Sequence, residues 1–327
     1  MLPRRPQSHG LKVMASKRHE LRFQVLILPN LPWNQLLNRF KRVEELGFDL
    51  AVTADTFVDF LNPPSPWFEL WSVLAGVAGS TSTIRIAPCV AQIPLRNPAL
   101  FARQALTVDH ISQGRLEIGL GLGLLEDPGY EMMGIPNWSN KERAARFKEY
   151  VEIVDLLLSN EVSSYNGRFY QIKDAVMNPQ STQKPRPPIT IAAMGPLMMK
   201  YAAEYADTWN TMSFAEEFDE QYDETGARVS KVAEYCTAIG RDIDSLRISY
   251  NMYDARSRSG GGRISYYEST EAFAGMARRL IDLGITELGL YYPMLDEQLP
   301  VFEKIARETI PALRKEAGAL GRTKVTT

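Results

Sequence analysis

Short apolar runs alternate along this chain with longer stretches whose apolar residues recur at helical spacing. Residues 23–29 (FQVLILP) form a strand-like run stopped by proline. Residues 35–46 then place Leu36, Leu37, Phe40, Val43 and Leu46 on one helical face, and Gly47 is positioned to end that helix. The same rhythm predicts strands over 50–55, 83–90 and 115–122, with helices over 66–79 and 98–111. After a strongly amphipathic helix over 140–158 come strands over 189–194, 208–212, 246–253 and 287–292. Helices are predicted over 197–206, 217–239, 270–283 and 299–315, the last kinked or restarted at Pro311. Eight β-then-α units predict an α/β fold, a (β/α)8 TIM barrel, with a doubly wound open sheet as the competing arrangement. No internal repeat is visible. Residues 161–188 break the rhythm: aromatics flank Asn166-Gly167 and a proline-rich run follows, which predicts a β-hairpin and an extended connection inserted before strand five. Residues 254–269 (DARSRSGGGRISYYES) form a second irregular stretch, basic and rich in glycine.

The ends are polar. Residues 1–20 are expected to be a disordered basic tail, in which Met14 is an alternative start, and residues 318–327 a second tail. That leaves residues 21–317 as one domain. No segment approaches the roughly 18 apolar residues of a membrane span. Lys plus Arg number 37 and Asp plus Glu 39, for a net charge of −2, which argues against a partner bound through phosphate neutralisation, such as nucleic acid. Cys89 and Cys236 cannot build a disulfide framework and fit a reducing compartment, so a cytoplasmic location is expected. Of the three histidines, His9 and His19 fall in the tail, and His110 reads as a C-terminal helix cap. The chain lacks HExxH, CxxC, GxSxG and GxxxxGK[ST] motifs. GLGLGLLE, with Gly119, Gly121 and Gly123, misses the GxGxxG spacing. A barrel would carry its site at the strand C-termini. Those ends are rich in glycine and small residues, with Asp55 and Asp254 as their carboxylates. Such a site suits a planar cofactor that carries the chemistry itself, with no metal.

Three segments sharpen this reading. IRIAPCVAQIPLRNPALFARQALTVDHISQGRLEIGLGLG, PITIAAMGPLMMKYAAEYADTW and, between them, KERAARFKEYVEIVDLLL with NGRFYQIKDAVMNP resemble the luciferase-like flavin- or F420-dependent oxidoreductases, relatives of bacterial luciferase. The resemblance runs over residues 21–314. It implies a (β/α)8 barrel with an insertion before strand five, binding of FMN or the deazaflavin coenzyme F420, and exchange of hydride equivalents with a small organic substrate. Some members activate oxygen, and dimers are common, so a homodimer is expected.

The resemblance also implies site residues. Ala192, Ala193, Met194, Gly195 and Pro196 would hold the cofactor phosphate. Cys89-Val90 would be a non-proline cis peptide behind the ring. Asp55 and Thr56 occupy a position where F420-using relatives often carry Asp-His; with threonine there, no imidazole is on hand to move a proton. Gly121, Leu122 and Gly123 end strand four, and Leu124 stands where some relatives place a glutamate proton donor. Glu126 or Asp127 would substitute for it, making Asp55 and Glu126 the catalytic candidates. The residues alone leave plainer alternatives open: a strand–helix turn, a buried apolar cysteine, a loop cap, a solvated acid. Trp33, Trp67, Trp71 and Tyr130 are candidates for the wall of an aromatic substrate pocket, with ordinary packing as the alternative. Arg256, Arg258 and Arg263 are candidates to close over an anionic substrate or the acidic tail of F420. The favoured reading is an F420-dependent hydride transferase. The alternatives are an FMN monooxygenase using reduced flavin and oxygen, and a non-catalytic flavin-binding barrel.

Overall fold

The computed structural model of the chain describes residues 19–254, 256–257 and 261–323. The expected N-terminal tail lies outside these residues except for His19 and Glu20, as does Arg258. The strands are β1 (Arg22–Leu26), β2 (Leu50–Thr53), β3 (Arg85–Pro88), β4 (Ala91–Gln92), β5 (Ile118–Gly121), β6 (Val162–Asn166), β7 (Gln171–Val176), β8 (Ile189–Ala192), β9 (Thr208–Thr211), β10 (Arg247–Asn251) and β11 (Glu287–Tyr291). The helices are α1 (Trp33–Glu45), α2 (Leu70–Ala78), α3 (Pro98–Ile111), α4 (Gly129–Met132), α5 (Asn140–Ser159), α6 (Pro196–Tyr205), α7 (Phe218–Ala238), α8 (Thr270–Asp282), α9 (Leu299–Lys304) and α10 (Ile310–Thr323).

One parallel sheet runs β3-β2-β1-β11-β10-β9-β8-β5-β4. β3 and β4 are halves of a single strand interrupted at Cys89-Val90. Because β4 pairs with β5 and Ile86 bridges Leu116, the sheet closes on itself as an eight-stranded (β/α)8 barrel. β6 and β7 form the antiparallel hairpin expected before strand five and stand outside the barrel.

The helices bury the faces that their spacing predicts, such as Leu36, Phe40 and Val43 on α1 and Phe273, Ala277 and Leu280 on α8. Two boundaries differ most from expectation. α2 begins at Leu70 rather than at 66, because the Glu69 carboxylate accepts the Ser72 N–H at 2.8 Å and caps the helix there. The expected tail at 318–327 is helical as far as Thr323, since α10 continues through Gly318. A π-helical turn, Ile305–Thr309, precedes α10 and lets the chain restart with Pro311 in the new first turn.

Side chains on the strands alternate between helices and barrel axis. Phe23, Trp209, Tyr250 and Leu288 face outward into the main core. The axis is far more polar than the branched apolar layers usual in barrels. At its N-terminal end Arg22 donates to Glu117 at 2.7 Å and to Glu287 at 2.8 Å, and Arg85 donates to Glu117 at 2.5 Å. Glycine opens the middle: a Cβ on Gly119 would overlap the Pro88 carbonyl oxygen and reach Val90 Cγ1 at 3.1 Å. Backbone cannot step aside as a side chain can, so Gly119→Ala is expected to cost about 1–3 kcal/mol by overpacking, measured by chemical denaturation.

Candidate active site

The C-terminal ends of the strands meet above a floor of amides. Gln24 Nε2 donates to Asn251 Oδ1 at 2.7 Å, and Asn210 Nδ2 donates to Ser249 Oγ at 2.9 Å. Asn251 reaches across the axis, where its Nδ2 donates to Cys89 Sγ at 3.4 Å. Gly289 makes room for this arrangement, since a Cβ there would overlap Asn251 Oδ1 and sit 2.7 Å from Gln24 Nε2. These residues escaped the sequence reading. Their signal was a polar residue at every second position of strands otherwise apolar: Arg22-Phe23-Gln24, Thr208-Trp209-Asn210, Ser249-Tyr250-Asn251.

Above the floor, the Cys89-Val90 peptide is cis, as the resemblance implies. Val90 faces Gly121, where a Cβ would meet Val90 Cγ2 at 2.5 Å. Cys89 packs against Leu26, Leu50, Val52 and Ala87 on the inner wall. Burial pushes its thiol up to about 11, although the Asn251 amide pulls the other way. Cys89 is therefore a neutral thiol at pH 7 and a poor nucleophile. In a Cys236→Ser protein, thiolate absorbance is expected to rise with a midpoint near pH 11; a midpoint near 8.5 would show a water-exposed thiol.

α6 brings the phosphate candidates to the same end. Gly195 precedes the helix in extended conformation, no side chain caps it, and Pro196 fills the first helical position. Met194, Gly195, Pro196 and Leu197 are exposed, and nothing lies within 4 Å of a Cβ built on Gly195. The first-turn N–H groups therefore point into open space, with the positive end of the helix dipole behind them. Ala192 is half-buried and Ala193 buried, its carbonyl accepting Trp209 Nε1 at 2.9 Å.

The acid candidates are otherwise engaged. Asp55 is buried, and its Oδ2 accepts the Arg96 guanidinium at 2.6 Å and the Gln92 N–H at 3.0 Å. Burial raises its carboxyl above the ordinary value while Arg96 opposes the shift. Asp127 is buried too, accepting Gly129 N–H at 2.8 Å and Gln92 Nε2 at 3.1 Å, so it builds the loop that leads into α4. Glu126 and Leu124 are exposed on that loop. Arg143, buried within α5, holds the loop from behind by donating to the Leu122 carbonyl at 2.8 Å and Tyr130 Oη at 3.2 Å. Gly123, at φ +77°, has no room for a Cβ beside Tyr130 and Gln92. Thr56 is different: its hydroxyl is buried and has no partner among the described residues.

The aromatic candidates divide. Tyr130 is 1% exposed and donates to Gln92, and Trp71 is 4% exposed, edge-on to Phe101. Both rings are engaged in packing, Trp71 against Phe101 of α3 and Tyr130 beneath the Arg143 guanidinium of α5. Trp33 is exposed beside Gly76 of α2, and Trp67 Nε1 donates to the Thr56 carbonyl at 2.9 Å. The rings that do gather at the strand ends are Phe214, Tyr253 and Tyr291. Arg256 pairs with Glu216 and Glu217, and Arg263 with Glu297, so the two of the three expected anion-binding arginines that are described are held by carboxylates. A cavity of about 360 Å³ lies between α7, α8 and this loop, with Tyr250, Tyr253 and Tyr266 in its wall.

Residues 16–253 match the family model for luciferase-like monooxygenases. The chain belongs to this family. Luciferase-like monooxygenases are oxidoreductases acting on small molecules, and this chain is one of them. It is similar to the pyrimidine monooxygenase RutA of Yersinia enterocolitica, 28% identical over 264 residues, covering 77% of this chain and 68% of that protein. It is 32% identical over 174 residues to RutA of a Bradyrhizobium species, covering 51% of this chain and 47% of that one. Against Escherichia coli RutA it is 28% identical over 236 residues, covering 70% of this chain and 58% of that protein. Among solved structures, the coenzyme F420 dependent tetrahydromethanopterin reductase of Methanopyrus kandleri matches with TM-score 0.73 at 20% identity, covering 90% of this chain and 99% of that one. Monooxygenase RslO1 of Streptomyces bottropensis matches equally well, with TM-score 0.73 at 20% identity, covering 90% and 100%. These structural matches share the luciferase-like barrel.

Proposed function

We propose that this luciferase-like enzyme binds coenzyme F420 at the barrel mouth and transfers hydride between it and a small organic substrate. The supporting observation is the uncapped N-terminus of α6, opening at the same barrel end as a floor of neutral amides. The residues fit a phosphate-bearing ring. Backbone N–H groups of the first α6 turn would bind the phosphate, with Gly195 allowing close approach. Cys89-Val90 would back the ring, and Asn251 and Thr56 have amide and hydroxyl groups suited to its polar edge. When bound, the deazaflavin supplies a carbon that accepts or gives hydride. The chain contributes orientation and a site with few charges, while Asp55 works indirectly, fixing Gln92 and Arg96 at the β2 and β4 ends.

Similarity to pyrimidine monooxygenases favours a second reading, FMN-dependent oxygenation. Thr56, which stands where F420 users often carry histidine, and Leu124, where some relatives place a glutamate, point the same way. Parallel titration of the purified protein with F420 and with FMN, followed by ring fluorescence, decides between them. Saturable binding of F420 supports hydride transfer. Binding of FMN alone moves the assignment to oxygenation.

A further inference from the structure

Phe214 and Tyr253 follow the adjacent strands β9 and β10, and Tyr291 is the last residue of their neighbour β11. Their rings form a continuous row, with centroids 5.4 Å apart edge-on for Phe214–Tyr253 and 6.1 Å apart for Tyr253–Tyr291. β10 lies across the barrel from the broken β3–β4 strand, so the row stands opposite Cys89-Val90 over the shared amide floor. Phe214 is 54% exposed and Tyr253 half-buried, which leaves ring surface open to an incoming molecule. The described arginines of the neighbouring loop are already engaged. Arg256 is held by Glu216 and Glu217, Arg263 by Glu297, and the Asp254 carboxylate accepts the Arg256 and Ser265 N–H groups. Such a wall rewards flat π surface, whereas an ion pressed against the rings would give up hydration.

We propose that the substrate is a planar, uncharged ring compound, taken between the cofactor and the Phe214–Tyr253–Tyr291 row, with Tyr253 as the specificity-determining residue. The proposal rests on the cofactor reading above and names the substrate class of that same site. Tyr253 is central because it touches both other rings.

The test uses the cofactor-loaded full chain and four probes: indole, cyclohexanol, benzoate and benzylamine. Binding is read by saturation-transfer NMR, with cofactor affinity measured in parallel by fluorescence. Indole is expected to bind about tenfold more tightly than the other three. Tyr253→Leu should remove most of that preference, Tyr253→Phe should keep it, and cofactor affinity should stay constant in both. Phe214→Leu, at a position 54% exposed, should weaken indole by a smaller factor. Equal binding of cyclohexanol or of either ion overturns the proposal and leaves the cofactor reading intact, as does an unchanged preference in Tyr253→Leu. Failure of both F420 and FMN to bind overturns the cofactor reading, and this proposal with it.

Discussion

Arg22→Met is expected to cost about 3–5 kcal/mol of folding stability at pH 7, because it removes the cation shared by two buried carboxylates, taking Glu287's guanidinium away and leaving Glu117 with Arg85 alone. Glu117 and Glu287 are each 2% exposed, and Arg22 lies between them with its side chain 17% exposed. Burial works against charge on Glu117, but Arg22 and Arg85 prevail and hold its carboxyl below the ordinary 4.5. A depressed carboxyl contributes stability that is present above its unfolded value and lost as pH falls through its folded value. The gap between wild type and Arg22→Met should therefore be full at pH 7 and narrow in acid, as Glu117 protonates first in the variant and only at lower pH in wild type. Urea denaturation at pH 7 and at pH 4 checks both magnitude and direction. A gap that grows in acid would contradict the assignment of this cluster as a charge-paired barrel base.

Gly195→Asp should separate stability from binding. Gly195 already sits in the extended conformation of a helix N-cap, and nothing obstructs a side chain there. An aspartate would accept the free first-turn N–H groups of α6 and raise stability by a few tenths of a kcal/mol relative to glycine. The same carboxylate would occupy the phosphate position with like charge. Affinity for a phosphate-bearing cofactor should fall by about 100-fold or more, a loss of about 2.7 kcal/mol. Thermal denaturation and cofactor titration on one preparation give both readouts. Joint loss of stability and binding would mean a disturbed helix rather than a blocked anion site.

Much of the fold was legible because parallel strands and amphipathic helices carry different periods. α3 runs over the predicted residues, since Asn97, Pro98 and Gly114 punctuate it. The start of α2 is harder to read, because Pro66 suits a first helical turn in sequence whereas the Glu69 side chain supplies the cap in the structure. The end of α10 was missed because polar composition resembles a tail whether or not the backbone stays helical.

The site was less legible. Glycines and the Cys89-Val90 bond could be placed because they follow local motifs. Pairings across the barrel could not. Asp55 looks available in sequence, but Arg96, 41 residues away, occupies its carboxylate. Tyr130 and Trp71 look like loop aromatics, but α5 and α3 take them into packing. Tyr253 and Tyr291 are separated in sequence by α8, and the contact between their rings is visible only once the ends of β10 and β11 are placed side by side.

The central claim is that the mouth of this barrel holds a ring cofactor by its phosphate. One titration tests it most directly: F420 against its phosphate-free deazaflavin, and FMN against riboflavin, each followed by ring fluorescence. The account predicts saturable binding of a phosphate-bearing ring, with the phosphate-free partner far weaker in wild type and the difference erased in Gly195→Asp. Equal affinity for a ring with and without its phosphate, or no binding by any of the four, would contradict it.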